Sequence, residues 1–426
     1  MTADLHRTIN AVWRIESAKI IGALARMTRD VGVAEELAQD ALVAALEQWP
    51  RDGTPDNPAA WLMTTAKHRA LDHLRRRKVH AGKEGELSRE LDAQHAMAQD
   101  DFADAVDAAL DDDVGDDLLR LMFIACHPVL SPDARVALTL RLVGGLATDE
   151  IARSFLVPEP TIAQRIVRAK RTLAAANVQF EAPRTHELTP RLASVLEVIY
   201  LVFNEGYSAT AGEDWMRPAL CDEALRLGRI LAGLLPGEPE VHGLVALMEI
   251  QASRAAARVD AQGDPVLLLD QNRARWDALL IRRGLAALAK AEALGGAHGR
   301  YTLQAAIAAC HARARTAEDT DWAGIAALYA VLSDQSPSPV VELNRAVAEA
   351  MAFGPAVGLQ RVDRLRDDPQ LQGYHLLPSV RGDLLFKLGR KAEAREEFNR
   401  AAELTRNARE RKLLRVRVLL CDSGRL

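Results

Sequence analysis

Residues 84–117 form an acidic segment that limits what the chain can fold into. The segment carries 13 acidic residues and a single arginine, a net charge of −12. It has few large apolar side chains and its charges repel one another, so it cannot form a core of its own. The chain therefore folds as separate modules on either side of an extended or partly helical linker. A solubilising linker is the simplest role for the segment itself.

The parts of the chain around the acidic segment differ in charge. Residues 1–83 have a net charge of +3 and residues 118–177 a net charge of +4, whereas the remaining 249 residues hold 32 charges of each sign. Two basic modules that flank an acidic linker are unusual for a metabolic enzyme. They favour a protein that contacts nucleic acid at two places.

Alanine dominates the composition and favours helices. The 426 residues include 74 alanines but only 19 aromatic residues, and alanine is the strongest helix former and a poor strand former. We therefore expect an all-α fold. The longest apolar stretch, Leu192 to Phe203, is interrupted by Glu197, and the first residues lack the apolar run of a signal peptide. We expect a cytoplasmic protein without a membrane span.

The cysteine pattern does not indicate a metal or redox site. No two of the four cysteines form a Cys-x-x-C pair. Cys126 and Cys310 each precede a histidine, but neighbouring helical residues point about 100° apart and chelate poorly. We expect small buried thiols, no metal and no cofactor.

Residues 1–83 contain three helical patterns. Apolar residues recur at helical spacing over Leu5 to Met27 and again over Val33 to Trp49. A loop with two prolines and a glycine, Pro50 to Asn57, follows. Asn57 before Pro58 predicts a capped third helix. That helix ends in a basic cluster, for which compensation of the helix dipole is the simplest explanation.

Residues 118–180 are predicted to form four short helices. The breaks fall near Pro128 to Pro132, Val143 to Gly145 and Phe155 to Pro158. The last two helices lie close together and the final one is basic, which indicates a helix-turn-helix. We expect its inward face to hold Ile162, Ile166 and Leu173. Four polar residues occupy overlapping outward faces: Thr161, Gln164, Arg165 and Arg168.

Both modules resemble parts of the extracytoplasmic-function sigma factors, specificity subunits of bacterial RNA polymerase. The stretch AEELAQDALVAALEQW is similar to the clamp-binding helix of region two, and NPAAWLMTTAKHRALDHLRRRK to its promoter-melting helix. The second module is similar to region four, whose recognition helix enters the major groove of the minus-thirty-five element. Two departures concern the turn. Ala147 replaces the usual serine cap, leaving Thr148 as its substitute, and Leu156 replaces a small turn residue.

The resemblance implies a domain order and site residues. The domains are region two over 1–83, the acidic linker over 84–117, region four over 118–180 and a helical extension over 186–426. Glu36, Gln39 and Asp40 would contact the polymerase clamp. The loop Pro50 to Asn57 would hold a base flipped from the minus-ten element. The implied DNA-binding residues are Lys67, Arg69, Arg75, Arg76, Arg77 and Lys78 in region two, and Thr161, Gln164, Arg165 and Arg168 in region four. Trp61 is expected to be a core anchor rather than a base-stacking residue.

The extension over 186–426 is predicted to be helical throughout. The stretch LLFKLGRKAEAREEFNRAAEL looks like a tetratricopeptide repeat, and a weaker copy lies 35 residues upstream. Stacked helix pairs offer a concave surface to a protein or peptide. Asn204-Glu205-Gly206 is predicted to end a helix, and the residues from Tyr207 to Arg217 are expected to form a structural corner rather than a site. The extension is expected to contact the sigma modules or polymerase and to change their activity in either direction.

The favoured interpretation is a non-enzymatic sigma factor that binds core RNA polymerase and promoter DNA. A dimeric helix-turn-helix regulator that dimerises through the repeats is the main alternative, but it leaves the first module unexplained. A repeat scaffold or enzyme with a vestigial DNA-binding half is a third. No nucleophile–base pair, P-loop or metal-ligand spacing supports an enzyme.

Overall fold

The computed structural model is helical, as the composition predicts, with a single pair of two-residue strands among the residues it describes. It describes residues 2–82, 114–155, 157–181, 183, 185–209 and 211–422. The acidic linker predicted over 84–117 lies outside them except for its last four residues. The chain divides into two compact units, Met1–Ile199 and Tyr200–Leu426, here called the first and second unit.

The first unit contains the two predicted modules and the start of the extension. Its helices are α1 (Thr2–Thr28), α2 (Val31–Asp52), α3 (Pro58–Gly82), α4 (Val114–Ala125), α5 (Pro132–Leu142), α6 (Thr148–Phe155), α7 (Glu159–Ala175) and α8 (Thr185–Tyr207). The boundary between the units falls inside α8.

Side-chain caps explain where α2 and α3 begin. The Asp30 carboxylate accepts hydrogen bonds from the backbone N–H groups of Gly32 and Val33, at 2.7 and 3.1 Å. Asn57 accepts one from the N–H of Ala60 at 3.1 Å, as its position before Pro58 predicts. Both caps satisfy backbone donors that a helix N-terminus leaves without partners.

The loop predicted from Pro50 begins later than expected. Helix α2 continues through Pro50 to Asp52 and ends at Gly53, whose φ is +89°. A proline so close to the end of a helix disturbs few hydrogen bonds, and the N–H of Gly53 still donates to the carbonyl of Trp49 at 3.1 Å. The glycine, with its access to positive φ, terminates the helix instead.

The first helix of the predicted helix-turn-helix, α6, is capped differently from the prediction. Thr148 is the first helical residue and not a substitute cap. The Glu150 carboxylate accepts a hydrogen bond from the N–H of Ala147 at 2.8 Å, which is half of a capping box. Residues 156–158 separate α6 from α7, and the expectation about Leu156 falls outside the described residues.

The two modules pack directly against each other in the first unit. Helix α1 contacts α2 and α3 of the first module as well as α4 and α5 of the second. A Cβ at Gly22 would lie 3.2 Å from Asp117, and one at Gly145 would lie 2.7 Å from Oγ of Ser17. Gly145 also has a φ of +68°, so its position needs glycine for two reasons.

The second unit is a succession of helices that each pack on the next in the chain. They are α9 (Pro218–Leu234), α10 (Pro239–Ala252), α11 (Ala278–Ala293), α12 (Arg300–Arg313), α13 (Trp322–Gln335), α14 (Pro339–Phe353), α15 (Pro355–Asp363), α16 (Leu376–Lys387), α17 (Lys391–Leu404) and α18 (Ala408–Asp422). Short 3₁₀ helices cover Ala255–Ala257, Leu268–Asp270, Arg273–Arg275 and Pro369–Leu371. Three residues of the hairpin formed by α16 and α17 are buried: Ala394, Phe398 and Ala401. The assignment of this hairpin as a tetratricopeptide repeat stays a prediction.

A long-range contact joins the beginning of the second unit to its end. Strand β1 (Ala211–Gly212) pairs in parallel with β2 (Arg406–Asn407). The buried side-chain amide of Asn407 donates to the carbonyls of Ala209 and Asp214, at 3.0 and 2.9 Å. The first loop of the unit is therefore held by the turn before its last helix.

Gly206 has a different role from the one predicted. It lies inside α8, which continues to Tyr207, and its φ is not positive. A Cβ at this position would lie 2.6 Å from the backbone nitrogen of Cys221. The glycine is needed because the start of α9 packs closely against it, and not because the helix ends there.

Candidate nucleic-acid interface

The three residues predicted to contact the polymerase clamp do not share one environment. Glu36 and Asp40 are exposed on α2, as a docking surface requires. Gln39 is half-buried, and its side-chain amide donates a hydrogen bond to the Glu35 carboxylate. The exposed acidic surface therefore comes from Glu36 and Asp40, and Gln39 points toward the interior of the unit.

The cations of α3 lie beside this acidic surface. Arg69 forms an ion pair with Asp40 at 3.5 Å. Arg69 is a predicted DNA-binding residue and Asp40 a predicted polymerase-binding residue, so the two predicted surfaces adjoin. Arg75 is exposed and lies 3.8 Å from Asp72, and Arg76 is exposed as well. Lys67 is half-buried. Arg77 and Lys78 lie in α3, but their side chains are outside the described residues.

The two tryptophans of the first module form an aromatic pair. Trp49 is 2 % exposed, and its ring centroid lies 5.5 Å from that of Trp61 in an edge-to-face arrangement. Trp61 is half-buried against this partner. The geometry favours a packing role for Trp61, as expected from the sequence.

Helix α7 presents one apolar and one polar face. Ile162, Ile166 and Leu173 are buried, as the periodicity predicts. On the other side, Gln164 and Arg168 are exposed and Thr161 is half-buried. Arg165 forms an ion pair with Asp133 at 3.1 Å, and because Asp133 is mostly exposed, this pair contributes little to stability.

A buried carboxylate that the sequence analysis missed joins the two modules. Glu35 is only 3 % exposed, although it lies on α2 next to the exposed Glu36. Its carboxylate accepts a hydrogen bond from Nε of Arg141 on α5 at 2.7 Å and forms an ion pair with Lys170 on α7. We call these three residues the Glu35 junction.

Comparisons with known proteins agree with the resemblance of both modules. Residues 15–79 match the family model of sigma-70 region 2, and residues 120–173 match that of sigma-70 region 4. The sigma factor SigK of Mycobacterium ulcerans, an ECF RNA polymerase sigma factor, is 33% identical over 159 residues, 36% of this chain and 78% of the relative. The chain belongs to this extracytoplasmic-function family of sigma factors.

Further relatives extend the comparison. The probable ECF RNA polymerase sigma factor SigI of Mycobacterium tuberculosis is 27% identical over 187 residues, 44% of this chain and 61% of the relative. An uncharacterized protein of Rhizobium meliloti is 45% identical over 399 residues, 93% of this chain and 92% of the relative. Residues 191–292 match a family of unknown function, DUF6596. No solved structure matches the chain.

A second ionic contact binds region two of this sigma factor to region four. Asp117 is 1 % exposed and pairs with Arg26 of α1 at 3.3 Å and with Arg120 of α4 at 2.9 Å. Asp117, the last residue of the predicted linker, thus lies in α4 and anchors that helix on region two.

The first helix of the extension packs on region four. The guanidinium of Arg135 donates to Oγ of Ser194 at 2.6 Å and to the Glu197 carboxylate at 3.0 Å. Arg191 donates to the carbonyl of Phe123 at 2.7 Å. The N-terminal part of α8 thus belongs structurally with the sigma regions and not with the second unit.

The cysteines of the sigma factor are all unpaired thiols. Burial raises the pKa of Cys126 to about 12, although Oγ of Thr139 lies 3.2 Å away. Burial, followed by the charge of Arg191, lowers the pKa of the neighbouring His127. Across the described part of the chain, no cluster of three or more potential metal ligands occurs, and no helix has the length and apolarity to cross a membrane.

Proposed function

We propose that this sigma factor binds core RNA polymerase through the exposed acidic face of α2 and opens promoters with α3. Glu36 and Asp40 supply the acidic face, and both are free of the buried contacts that occupy Glu35. The cations of α3 would hold the phosphates of the separating strands. Strand separation costs a few kcal/mol for each unstacked base, which pocket contacts and neutralised phosphates can offset.

Promoter recognition is assigned to the polar face of α7. The observation that carries this proposal is the arrangement of Gln164 and Arg168 outside a buried face of Ile162 and Ile166. A helix of this kind enters the major groove with its polar face toward the base edges. The ion pair of Arg165 with the exposed Asp133 contributes little free energy, so Arg165 can break it and contact DNA beside Gln164 and Arg168.

Regions two and four must separate before they reach both promoter elements. Elements 25 base pairs apart are roughly 85 Å apart along the duplex at 3.4 Å per pair, whereas the Glu35 junction holds the two regions in contact. The 31 residues between α3 and α4, 83–113, can span about 100 Å when extended. The linker is therefore long enough for the separation, which has to break both the Glu35 junction and the contact of Asp117 with Arg26.

The extension is assigned a regulatory role and no catalytic one. Its first helix contacts region four through Arg135 and Arg191, so a change in the extension can reach the promoter-reading module. The protein would work in the cytoplasm, where polymerase and promoter are found.

Run-off transcription with core polymerase tests the proposal. Fragmented genomic DNA serves as template, and transcript starts are mapped by sequencing with and without the full-length chain. We expect new start sites that depend on the chain and lie downstream of a common pair of sequence elements. An R165A/R168A variant should lose most of them, whereas R395A, an exposed change on α17, should keep them. An absence of chain-dependent starts, together with a palindromic footprint of the chain alone, would instead support the dimeric regulator.

A further inference from the structure

The second unit contains a pocket of about 220 Å³ between helices of the extension. Residues of α8, α10, α12, α13 and α14 line it, and neither sigma region contributes. A cavity of about 150 Å³ accommodates benzene, whereas sites for drug-sized ligands occupy about 300–1,000 Å³. The pocket is therefore the right size for one large side chain with its adjoining peptide group.

The lining of the pocket suits an uncharged, amide-bearing ligand. Leu247, Ile307 and Leu332 form a buried apolar part, and no lining residue carries a charge. Four carboxamides from four different helices complete it: Asn204, Gln251, Gln304 and Asn344. Each carboxamide has both a donor and an acceptor, which is the complement of a peptide group.

Two of these carboxamides have no partner within the described part of the chain. Gln304 accepts a hydrogen bond from the hydroxyl of Tyr200 at 3.0 Å, and Gln251 accepts one from Arg254. The side chains of Asn204 and Asn344 make no hydrogen bond to any other described residue. Their donors and acceptors are available to the main chain of a bound segment.

Positive charge lies at one edge of the pocket. The guanidinium of Arg254 donates to the hydroxyl of Tyr207 and to Gln251, and both of these residues line the pocket. Arg258, which is 7 % exposed, lies over the ring of Tyr207 at 3.4 Å. Among the described residues, no carboxylate forms an ion pair with Arg254 or Arg258. Because partly buried cations without a counter-charge are costly, this edge favours a carboxylate.

The lowered pKa of a nearby histidine agrees with this excess of positive charge. Burial, together with the smaller effect of the charges of Arg254 and Arg273, lowers the pKa of His311 to about 4. Arg273 itself donates to the backbone carbonyls of His311 and Ala314, and the carboxylates of Asp319 and Glu318 partly offset its charge.

We propose that the pocket binds an extended peptide segment of a partner protein, which inserts one aromatic side chain and presents a carboxylate to Arg254. The carboxamides on successive helices would bind the main chain, the apolar part would hold the aromatic ring, and Arg254 would select an acidic neighbour. This site lies outside the proposed sigma activity, and its test needs no polymerase.

Three blocked pentapeptides test the proposal on the full-length chain. They are acetylated and amidated Ala-Ala-Phe-Asp-Ala, the same peptide with Lys in place of Asp, and the same peptide with Ala in place of Phe. Binding is measured by saturation-transfer NMR and titration calorimetry. We expect the Phe-Asp peptide to bind about tenfold more tightly than either of the others, because each lacks one of the two anchors.

Variants locate the binding site. Asn344 is exposed on α14, so N344W should leave the fold intact, which circular dichroism checks, and should obstruct the pocket. N399W, an exposed change on α17 away from the pocket, is its control. We expect N344W to abolish binding, N399W to retain it, and R254Q to remove the preference for Asp over Lys.

Four results would overturn the proposal. They are an absence of binding by all three peptides, equal binding of the three, retained binding by N344W, and binding of free 3-phenylpropionate as tight as that of the Phe-Asp peptide. The last result would identify the occupant as a small aromatic acid and not a protein segment.

Discussion

Replacing Glu35 with glutamine should loosen the contact between regions two and four. The substitution keeps the size of the side chain but removes the charge that faces Arg141 and Lys170. Because region four contributes both cations and region two the carboxylate, the loss falls on the contact between the regions and not on either fold alone.

The size of the effect follows from burial. Breaking a fully buried ion pair by removing one partner costs about 3–5 kcal/mol. The side chain of Glu35 is 4% exposed, but those of Arg141 and Lys170 are 21% and 22% exposed, so water partly solvates the two cations that remain. We therefore expect a loss near the lower limit, about 3 kcal/mol. At about 1.4 kcal/mol for each factor of ten, separation of the regions becomes roughly 100-fold more frequent.

Native-state hydrogen exchange with mass spectrometry measures this separation, because it reports local opening free energies. Amides of α2, α5 and α7 that exchange through separation should exchange about 100-fold faster in E35Q than in the parent chain. E47Q is the matched control, since Glu47 is an exposed glutamate on the same helix. Equal exchange in E35Q and E47Q would refute the reasoning, because the junction would then contribute nothing to holding the regions together.

Three further predictions concern single functions of the chain. Alanine at Arg165 or Arg168 should cost about 1–3 kcal/mol of promoter binding if the side chain reads a base edge, and gel-shift titrations should show that the loss depends on the minus-thirty-five sequence. A double change of Glu36 and Asp40 to lysine should weaken co-purification with core polymerase while leaving the circular dichroism spectrum unchanged; undiminished co-purification would contradict the docking assignment. The pKa of about 12 leaves about one Cys126 thiol in ten thousand ionised at pH 8, so iodoacetamide should modify Cys126 only after unfolding, as peptide mass spectrometry would show.

The sequence predicts local structure well where one residue decides it. Asn57 caps α3 as its position before Pro58 indicates, and Ile162 and Ile166 face inward as their spacing indicates. Pro50 and Gly206 lie inside helices, contrary to the sequence prediction, for a shared reason. Both residue types often end helices, but whether they do so depends on position in the helix and on what packs nearby.

The Glu35 junction shows what local patterns miss. The sequence does contain a signal, because Glu35 is an acidic residue on the face of α2 that also buries Leu37, Ala38 and Ala41. Its partners Arg141 and Lys170 are more than 100 residues away, so only the tertiary fold reveals what compensates its charge. An acidic residue on an apolar helix face predicts that a cation is buried next to it, but it does not predict which one.

The contact between β1 and β2 determines how the extension can change in length. An open solenoid gains or loses a terminal repeat at the cost of one interface, because each repeat contacts only its neighbours. Here Asn407, just before the last helix, supplies hydrogen bonds that the carbonyls of Ala209 and Asp214 would otherwise lack. Deleting the final helical hairpin would therefore damage the opposite end of the unit, about 200 residues earlier in the chain. Loss of the final hairpin therefore costs more than the single interface that an open solenoid would lose.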